Sequence, residues 1–293
     1  MEKFLKFSAV AFLVLFILIV FLFIIIKFFY IKKYDQYELD HDTYLLADSH
    51  GIPLADILEI VDVYNFSEHS ESYLDMERKL DFLIQQSSIK SVWLSVDDHT
   101  LSPSRENLNN LDRSVFYASK EEFTSQANYF KAKYLEYYLP FLNPKYALVI
   151  KNFLVNELLN PGKWGGGKRV PWEKLDDLTQ RRKSEERIQQ YFEGQNPSEK
   201  LLASLMRIIE KCEEHNIEVI GIRFPLTEEY LEAKRDLSYN ADSLFLAHGL
   251  KVLDFDSLYL GKDELFRDQD HLDAEGGEEF AEILKEFELK EED

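Results

Sequence analysis

Two short polar stretches of this chain carry the residue types that nucleophilic catalysis needs. Ala47-Asp48-Ser49-His50-Gly51 contains a serine, and Asp268-Gln269-Asp270-His271 contains a histidine with two carboxylates just before it. A serine hydroxyl becomes a nucleophile when an imidazole takes its proton, and a carboxylate holds that imidazole in the correct tautomer. The two stretches are more than 200 residues apart. Only a fold that brings them together could make them one site.

Both stretches also have a purely structural interpretation. Ser49 could cap a helix that begins near Pro53, because serine readily accepts hydrogen bonds from the first free amides of a helix. Asp268 and Asp270 could be surface acids ahead of the last helix, where negative charge suits the helix dipole. We predict that Asp268 belongs with His271 and that Asp270 is the surface acid, exposed to solvent.

The surrounding sequence alternates strand-like and helix-like segments. Five apolar runs predict strands: Thr43–Ala47, Val61–Tyr64, Ile89–Val96, Ile217–Ile222 and Lys251–Phe255. Helical spacing predicts helices over Leu54–Ile60 and Tyr73–Gln85, a third that Asn196-Pro197-Ser198 opens and Asn216 stops, and a last one from about Asp273. This alternation predicts a parallel sheet covered by helices on both faces.

Polar residues follow several of the predicted strands where each strand ends. They are Ala47–Gly51 after the first strand, Asn65–Ser67 after the second, Asp97–His99 after the third and Asp268–His271 after the last. In open α/β sheets, ligands bind beyond the carboxyl ends of the strands. We therefore expect these groups to meet at one edge of the sheet.

In this arrangement the chain resembles the SGNH (GDSL-like) hydrolase superfamily. That family has a Gly-Asp-Ser loop after its first strand, for which Ala47-Asp48-Ser49 stands here. It has Asp-x-x-His before its last helix, often continued as Leu-x-x-x-Gly, matched here by Asp268–His271, Leu272 and Gly276. The resemblance covers roughly residues 40 to 100 and 200 to 290. It implies a three-layer α/β/α sandwich with a mostly parallel, flavodoxin-like sheet.

The resemblance also implies roles for three catalytic residues. Ser49 is similar to the family's nucleophile, and His271 to the base that takes its proton. Asp268 is then the carboxylate that orients His271 and stabilises the imidazolium.

The chain departs from the family at the oxyanion hole. The second block usually reads Asn-x-Gly, and Asn65-Phe66-Ser67 keeps the asparagine and a backbone amide at Ser67. The third block usually offers an asparagine side chain, but Ser95-Val96-Asp97-Asp98 stands in its place. A carboxylate there would repel an oxyanion, and the loss of one donor costs about 10²–10³ in rate.

Three residues could replace the missing oxyanion donor or have no role in catalysis. His99 could replace the missing donor if it turns inward; otherwise the chain is a non-catalytic member. His50 is either a second polar group of the pocket or a loop residue, and Asn65 is either an oxyanion donor or a turn former.

Composition limits the classes of partner. A hydrophobic fraction of 45% and an aromatic fraction of 14% are ample for a packed core. The net charge of −20, without a long Lys/Arg cluster, argues against a nucleic-acid partner and against docking onto anionic lipid. The single cysteine, Cys212, is predicted to be a buried thiol on a helix. No cofactor motif is present, and His41, His69, His215 and His248 lack the spacing of metal ligands.

The N-terminus predicts a membrane anchor. Phe7 to Ile26 is a run of 20 residues without a charge, and at about 1.5 Å per residue it spans roughly 30 Å, the thickness of a bilayer core. A cleaved signal peptide would have a shorter apolar region and a small-residue cleavage site. Lysines flank both ends of the run, so the positive-inside count leaves the orientation open.

These observations predict a domain organisation and a function. Residues 1–35 form the membrane anchor, and residues 36–293 form an SGNH-like α/β domain with a helical insertion at about 100–195, including a loop at Trp164–Gly167. The resemblance implies a serine esterase or O-acyltransferase outside the cytoplasm, acting on an acylated glycan, a cell-envelope polymer or a small ester. The alternative is a non-catalytic SGNH-fold protein that binds or assembles with proteins of envelope polysaccharide modification or export.

Overall fold

The computed structural model describes residues 1–54, 58, 62–155, 170–194 and 196–291, with the side chains of 288–291 left out. The chain forms two compact units. Unit 1 comprises Met1–Tyr37 and Leu111–Arg169, and unit 2 comprises Glu38–Asn110 and Val170–Asp293. The predicted insertion at about 100–195 is therefore divided between the two units. The predicted loop at Trp164–Gly167 lies outside the described residues.

Unit 2 contains a five-stranded parallel sheet and a small antiparallel strand pair. The strands are β1 Thr43–Leu46, β2 Val63–Asn65, β3 Ser91–Ser95, β4 Glu218–Arg223, β5 Lys251–Asp254, β6 Phe266–Asp268 and β7 His271–Leu272. The five-stranded sheet has the order β2-β1-β3-β4-β5, and every neighbouring pair is parallel. This is the flavodoxin-like order, whose switch point for ligand binding lies between β1 and β3. Each predicted strand overlaps an observed one, so the predicted sheet is confirmed.

Ten α-helices lie within the described residues. They are α1 Glu2–Ile26, α2 Tyr73–Gln86, α3 Leu111–Ser114, α4 Gln126–Phe130, α5 Pro144–Phe153, α6 Asp177–Phe192, α7 Glu199–His215, α8 Glu228–Lys234, α9 Ala241–Ala247 and α10 Ala274–Glu291. The predicted ends of α7 are confirmed, because the Ser198 side chain accepts from Leu201 N and Asn216 adopts a left-handed conformation with φ 55°. Cys212 is buried on this helix, and burial raises the pKa of its thiol to about 12. The predicted helix at Leu54–Ile60 falls mostly outside the described residues.

Helices cover both faces of the sheet. Successive side chains of a strand point to opposite faces, and every residue of β1 and β3 is buried. One face packs Leu45, Trp93 and Ile220 against Phe280 and Leu284 of α10. Burying each such side chain contributes roughly 1.5–3 kcal/mol. The predicted α/β/α layering is thereby confirmed in unit 2.

The glycine pair at the start of α10 allows that helix to lie against the segment that follows Ser49. A Cβ on Gly277 would overlap the carbonyl oxygen of Pro53, and one on Gly276 would overlap that of Leu265. Since α10 begins three residues after His271, this contact fixes the loop that carries Ser49 relative to β7, the strand that begins with His271.

We expect Gly277→Ala to destabilise unit 2 by about 1–3 kcal/mol, because the added methyl group forces backbone to shift. Thermal unfolding of the full chain in detergent, followed by circular dichroism, measures the effect. Glu278→Ala is the matched control, since this neighbour is exposed on the same helix. Equal unfolding temperatures for the two variants would show that the close approach at Gly277 is not needed.

Unit 1 is built around the N-terminal helix. The helical segment Glu2–Ile31 has 30 residues, with a mean hydropathy of 3.6 in its most apolar window, so it is long and apolar enough to cross a bilayer. Most of it is exposed, but Ile25, Ile26 and Ile31 near its C-terminal end are buried.

Candidate active site

Ser49, His271 and Asp268 form one continuous chain of hydrogen bonds. The distance from Ser49 Oγ to His271 Nε2 is 2.7 Å, and the distance from His271 Nδ1 to Asp268 Oδ1 is also 2.7 Å. Ser49 lies in the loop after β1, whereas Asp268 ends β6 and His271 begins β7, directly opposite one another in the antiparallel pair. A hydroxyl, an imidazole and a carboxylate in this order can generate an activated alkoxide.

Asp270 is buried beside the same imidazole, so the prediction that it is exposed to solvent is wrong. Its side chain is 0% exposed; one carboxylate oxygen lies 3.1 Å from His271 Nδ1 and the other 3.4 Å from Arg187 Nε. Neither oxygen makes a well-aligned hydrogen bond, so both contacts are mainly electrostatic. The turn between β6 and β7 folds Asp270 back towards the ring. Arg187, which sequence reasoning did not single out, comes from the distant helix α6.

The two carboxylates control the protonation of His271. Burial opposes the imidazolium, but Asp270 and Asp268 together raise the pKa of His271 to about 9. Burial also opposes ionisation of Asp270, yet His271 and Arg187 hold the pKa of its carboxyl well below the usual range. Since only neutral imidazole can take the serine proton, the reactive form of His271 increases as the pH rises towards 9.

Asn65 and Ser67 hold the loops after β1 and β2 together. Asn65 Nδ2 donates to Gly51 O at 2.7 Å, and Asn65 Oδ1 accepts from Ser67 N at 3.1 Å. Both groups that could have faced an oxyanion are thus engaged in this structure. The Ser67 hydroxyl, in contrast, is buried with no hydrogen-bond partner.

Asp97 and Asp98, the two acids expected to repel an oxyanion, are both paired with donors or cations of the protein. Asp97 accepts from Phe224 N at 2.8 Å and from Ser95 Oγ at 3.0 Å, and it pairs with His50 Nδ1 at 2.8 Å. Asp98 pairs with Arg223 at 2.7 Å and Lys234 at 2.5 Å. Burial disfavours ionised Asp98, but these cations and Ser238 lower the pKa of its carboxyl. The expected repulsion of an oxyanion by Asp97 is offset by its three donors.

His50 presents an unused polar atom inside the site. Its ring centroid lies 4.8 Å from that of His271 in an edge-on arrangement. Its Nδ1 pairs with Asp97, while its Nε2 is buried without a partner. Burial opposes the imidazolium, but Asp48 and Asp97 raise the pKa of His50. In the charged form, Nε2–H is therefore a donor that no residue of the described chain uses.

His99 belongs to a neighbouring network. Its Nε2 lies 3.4 Å from Asp48 Oδ2, and its ring stacks on Tyr191 with centroids 4.3 Å apart. Asp48 also accepts from Arg105 at 2.7 Å. Burial lowers the pKa of His99, so the neutral ring is favoured. His99 thus supports the loop that carries Ser49 through its contact with Asp48.

Among the described residues, three groups of side chains have ligand atoms close enough to share a metal ion, within 4.8 Å of one another: Asp48, His50 and His99; His50, Asp270 and His271; and Glu38, Asp40 and His41. A guanidinium lies beside an acid of each buried group, Arg105 at Asp48 and Arg187 at Asp270. Such a positive charge repels a divalent cation. The buried groups fit an acid–base network better than a metal centre.

A cavity of about 570 Å³ lies elsewhere in unit 2. Its lining is strongly charged and includes Arg181, Glu229, Lys234 and Arg235. None of the three hydrogen-bonded residues Ser49, His271 and Asp268 is part of this lining. The cavity is therefore separate from the candidate site.

Comparisons with known proteins give only distant structural likenesses. No family model matches the chain, and no curated protein matches its sequence. One similar solved structure is a candidate lipolytic protein of the G-D-S-L family from Desulfitobacterium hafniense, at 11% identity and a TM-score of 0.41, over 84% of this chain and 99% of that one. Another is a candidate acylhydrolase from Bacteroides fragilis, at 10% identity and a TM-score of 0.43, over 89% of this chain and 95% of that one.

Proposed function

We propose that this chain is a membrane-anchored serine hydrolase of the SGNH type, which cleaves or transfers an acyl ester through Ser49, His271 and Asp268. The observation that carries this assignment is the unbroken relay from Ser49 Oγ through His271 to Asp268, with 2.7 Å at both steps. The relay lies beyond the carboxyl end of β1, at the edge where ligands bind in such sheets.

The geometry supports a two-step acyl transfer. Ser49 Oγ attacks the ester carbonyl carbon while His271 Nε2 takes the hydroxyl proton, and Asp268 stabilises the imidazolium that forms. His271 then gives this proton to the departing alkoxide, which leaves an acyl ester on Ser49. In the second step, water or an acceptor hydroxyl attacks that ester while His271 takes its proton, and His271 then returns the proton to Ser49 Oγ as the acyl–serine bond breaks. Hydrolysis and transfer differ only in this acceptor.

His50 is proposed as a donor to the developing oxyanion. The charged ring, held at Nδ1 by Asp97, offers a fixed Nε2–H from within the buried site. A preorganised donor in a water-poor environment stabilises negative charge that develops in the transition state. The unpartnered Ser67 hydroxyl is a second candidate. Together they could supply what the absent asparagine supplies in related sequences.

The proposed substrate is an acylated glycan or cell-envelope polymer, with unit 2 outside the cytoplasm. The sequence resemblance and a helix of membrane-spanning length support this placement. A non-catalytic binding role was suggested by Asp97 and Asp98. The argument for a non-catalytic role is weaker because both carboxylates already accept hydrogen bonds from protein donors.

We expect a fluorophosphonate probe to label the wild-type chain covalently and to leave Ser49→Ala unlabelled, because phosphonylation requires an activated serine. Ser243→Ala, an exposed serine of the same unit, is the control and should label like wild type. Labelling is read by gel fluorescence and by mass spectrometry of the modified peptide. In intact spheroplasts, a membrane-impermeant version of the probe would react only if unit 2 lies outside. Equal labelling of wild type and Ser49→Ala would reject the catalytic assignment.

A further inference from the structure

Residues 126–155 of unit 1 contrast with the rest of the chain in charge and in surface. Four lysines and one glutamate give this segment a net charge of +3, whereas the whole chain carries −20. Large apolar side chains are exposed along it, including Phe130 at 54%, Phe141 at 62% and Leu148 at 57%. Soluble proteins rarely expose apolar residues in such density without a partner surface. We refer to residues 126–155 as the basic aromatic segment.

This segment packs directly on the end of the apolar helix α1. The rings of Phe23 and Tyr138 have centroids 5.5 Å apart, and those of Phe29 and Phe153 are 4.8 Å apart. Tyr146, which is fully buried, meets Tyr30 edge-on at 5.9 Å. The segment thus contacts the membrane-spanning candidate at two levels, at Phe23 and at the adjacent pair Phe29 and Tyr30.

The contact with Phe23 sets the depth of the segment. Phe23 lies three residues inside the end of the uncharged run Phe7–Ile26, which corresponds to about 4.5 Å along the helix. If α1 crosses a bilayer, Phe23 lies at the margin of the hydrocarbon core. Tyr138 must then lie at the same level, and its exposed neighbours Phe141 and Leu142 lie only a few residues away.

We propose that the basic aromatic segment is an interfacial membrane element, embedded in the lipid headgroup region around the exit point of α1. Exposed aromatic and aliphatic side chains would insert between the headgroups, and the exposed Lys151 would face anionic phosphates. The other three lysines of the segment already contact protein groups: Lys131 contacts Glu136, Lys133 the Ala118 carbonyl and Lys145 Asp112. Tyrosine, phenylalanine and lysine have the polarity that this zone favours. The net charge of the whole chain is negative, although the net charge of this segment is positive. The partner is the bilayer that α1 crosses, and this inference does not depend on the proposed catalysis.

Site-directed spin labelling tests the depth directly. Cys212 is the only cysteine of the chain, so a Cys212→Ser background permits single nitroxides at Phe141→Cys and Leu148→Cys. The full chain is reconstituted in vesicles of equimolar phosphatidylcholine and phosphatidylglycerol. Val14→Cys, in the middle of α1, reports the bilayer core, and Leu246→Cys, an exposed leucine of unit 2, is the matched control.

We expect the nitroxides at 141 and 148 to be accessible to oxygen and several-fold less accessible to a water-soluble nickel chelate than the one at 246. Equal nickel accessibility at the three positions would overturn the proposal. Protection from both reagents at 141 and 148 would also overturn it, because it would mean packing against protein, such as a second copy of this chain. A water-accessible label at position 14 would remove its premise, the spanning helix.

Discussion

Replacing His271 with alanine is expected to lower the turnover of an activated ester, such as p-nitrophenyl acetate, by about 10²–10⁴-fold. The physical reason is the 2.7 Å contact between His271 Nε2 and Ser49 Oγ. Without the imidazole, no group of the described chain is seen to accept the serine proton. Initial rates of the purified full chain in detergent, with Ser49→Ala measured in parallel, provide the comparison.

Two controls sharpen this expectation. His248→Ala removes an exposed histidine of the same unit and should leave the rate unchanged. The double variant of Ser49 and His271 should be no slower than either single variant, since residues that act as one unit are non-additive. A His271→Ala protein that retains wild-type turnover would exclude His271 as the base.

The two carboxylates at His271 are expected to have different effects on catalysis. Asp270→Asn removes a fully buried negative charge 3.1 Å from His271 Nδ1, so the pKa of His271 should fall from about 9. The ascending limb of kcat/KM against pH should then move down by roughly 1–3 pH units. Arg187→Gln removes a positive charge beside Asp270, which favours the imidazolium and should move the limb upward. A loss of structure would lower the activity of both variants, whereas an electrostatic effect shifts the limb down in Asp270→Asn and up in Arg187→Gln.

Asp268→Asn should also lower the pKa of His271, but in addition it should lower kcat at the best pH, because an amide cannot hold His271 Nδ1–H as the carboxylate does. Full pH–rate profiles of the four proteins, including wild type, measure both effects. If His50 is the oxyanion donor, activity should also fall wherever its ring becomes neutral, because the Nε2–H is then lost. An unchanged ascending limb in Asp270→Asn would mean that Asp270 does not set the pKa of His271.

Part of this site could be read from local sequence because its residues mark strand ends. Apolar runs located all five strands of the sheet to within a few residues. The stretches ADSHG and DQDH then supplied a serine and a histidine of matching chemistry. Their meeting at 2.7 Å follows from the parallel order of β2, β1 and β3 and from the turn between β6 and β7.

The charges around that core could not be read in the same way. Asp270 looks like a surface acid in sequence because solvation is not a local property. In the structure it is buried beside Arg187, which comes from the distant helix α6. From the sequence, the Asp97 carboxylate is expected to repel an oxyanion. In the structure it accepts hydrogen bonds from Phe224 N and Ser95 Oγ and pairs with His50, which offsets that repulsion. Each of these roles is set by partners that sequence spacing does not bring together.

The sequence by itself determined the alternation of strands and helices, the apolar helix at the N-terminus and the residue types of a candidate acyl-transfer relay. These depend on periodicity and on chemistry carried within a few neighbouring residues. Only the tertiary structure decided which acids touch His271, which donors remain unused, and that residues 126–155 pack on α1 rather than extend the sheet domain. Such outcomes depend on packing and desolvation between distant parts of the chain, and these have no signature in a short stretch of sequence.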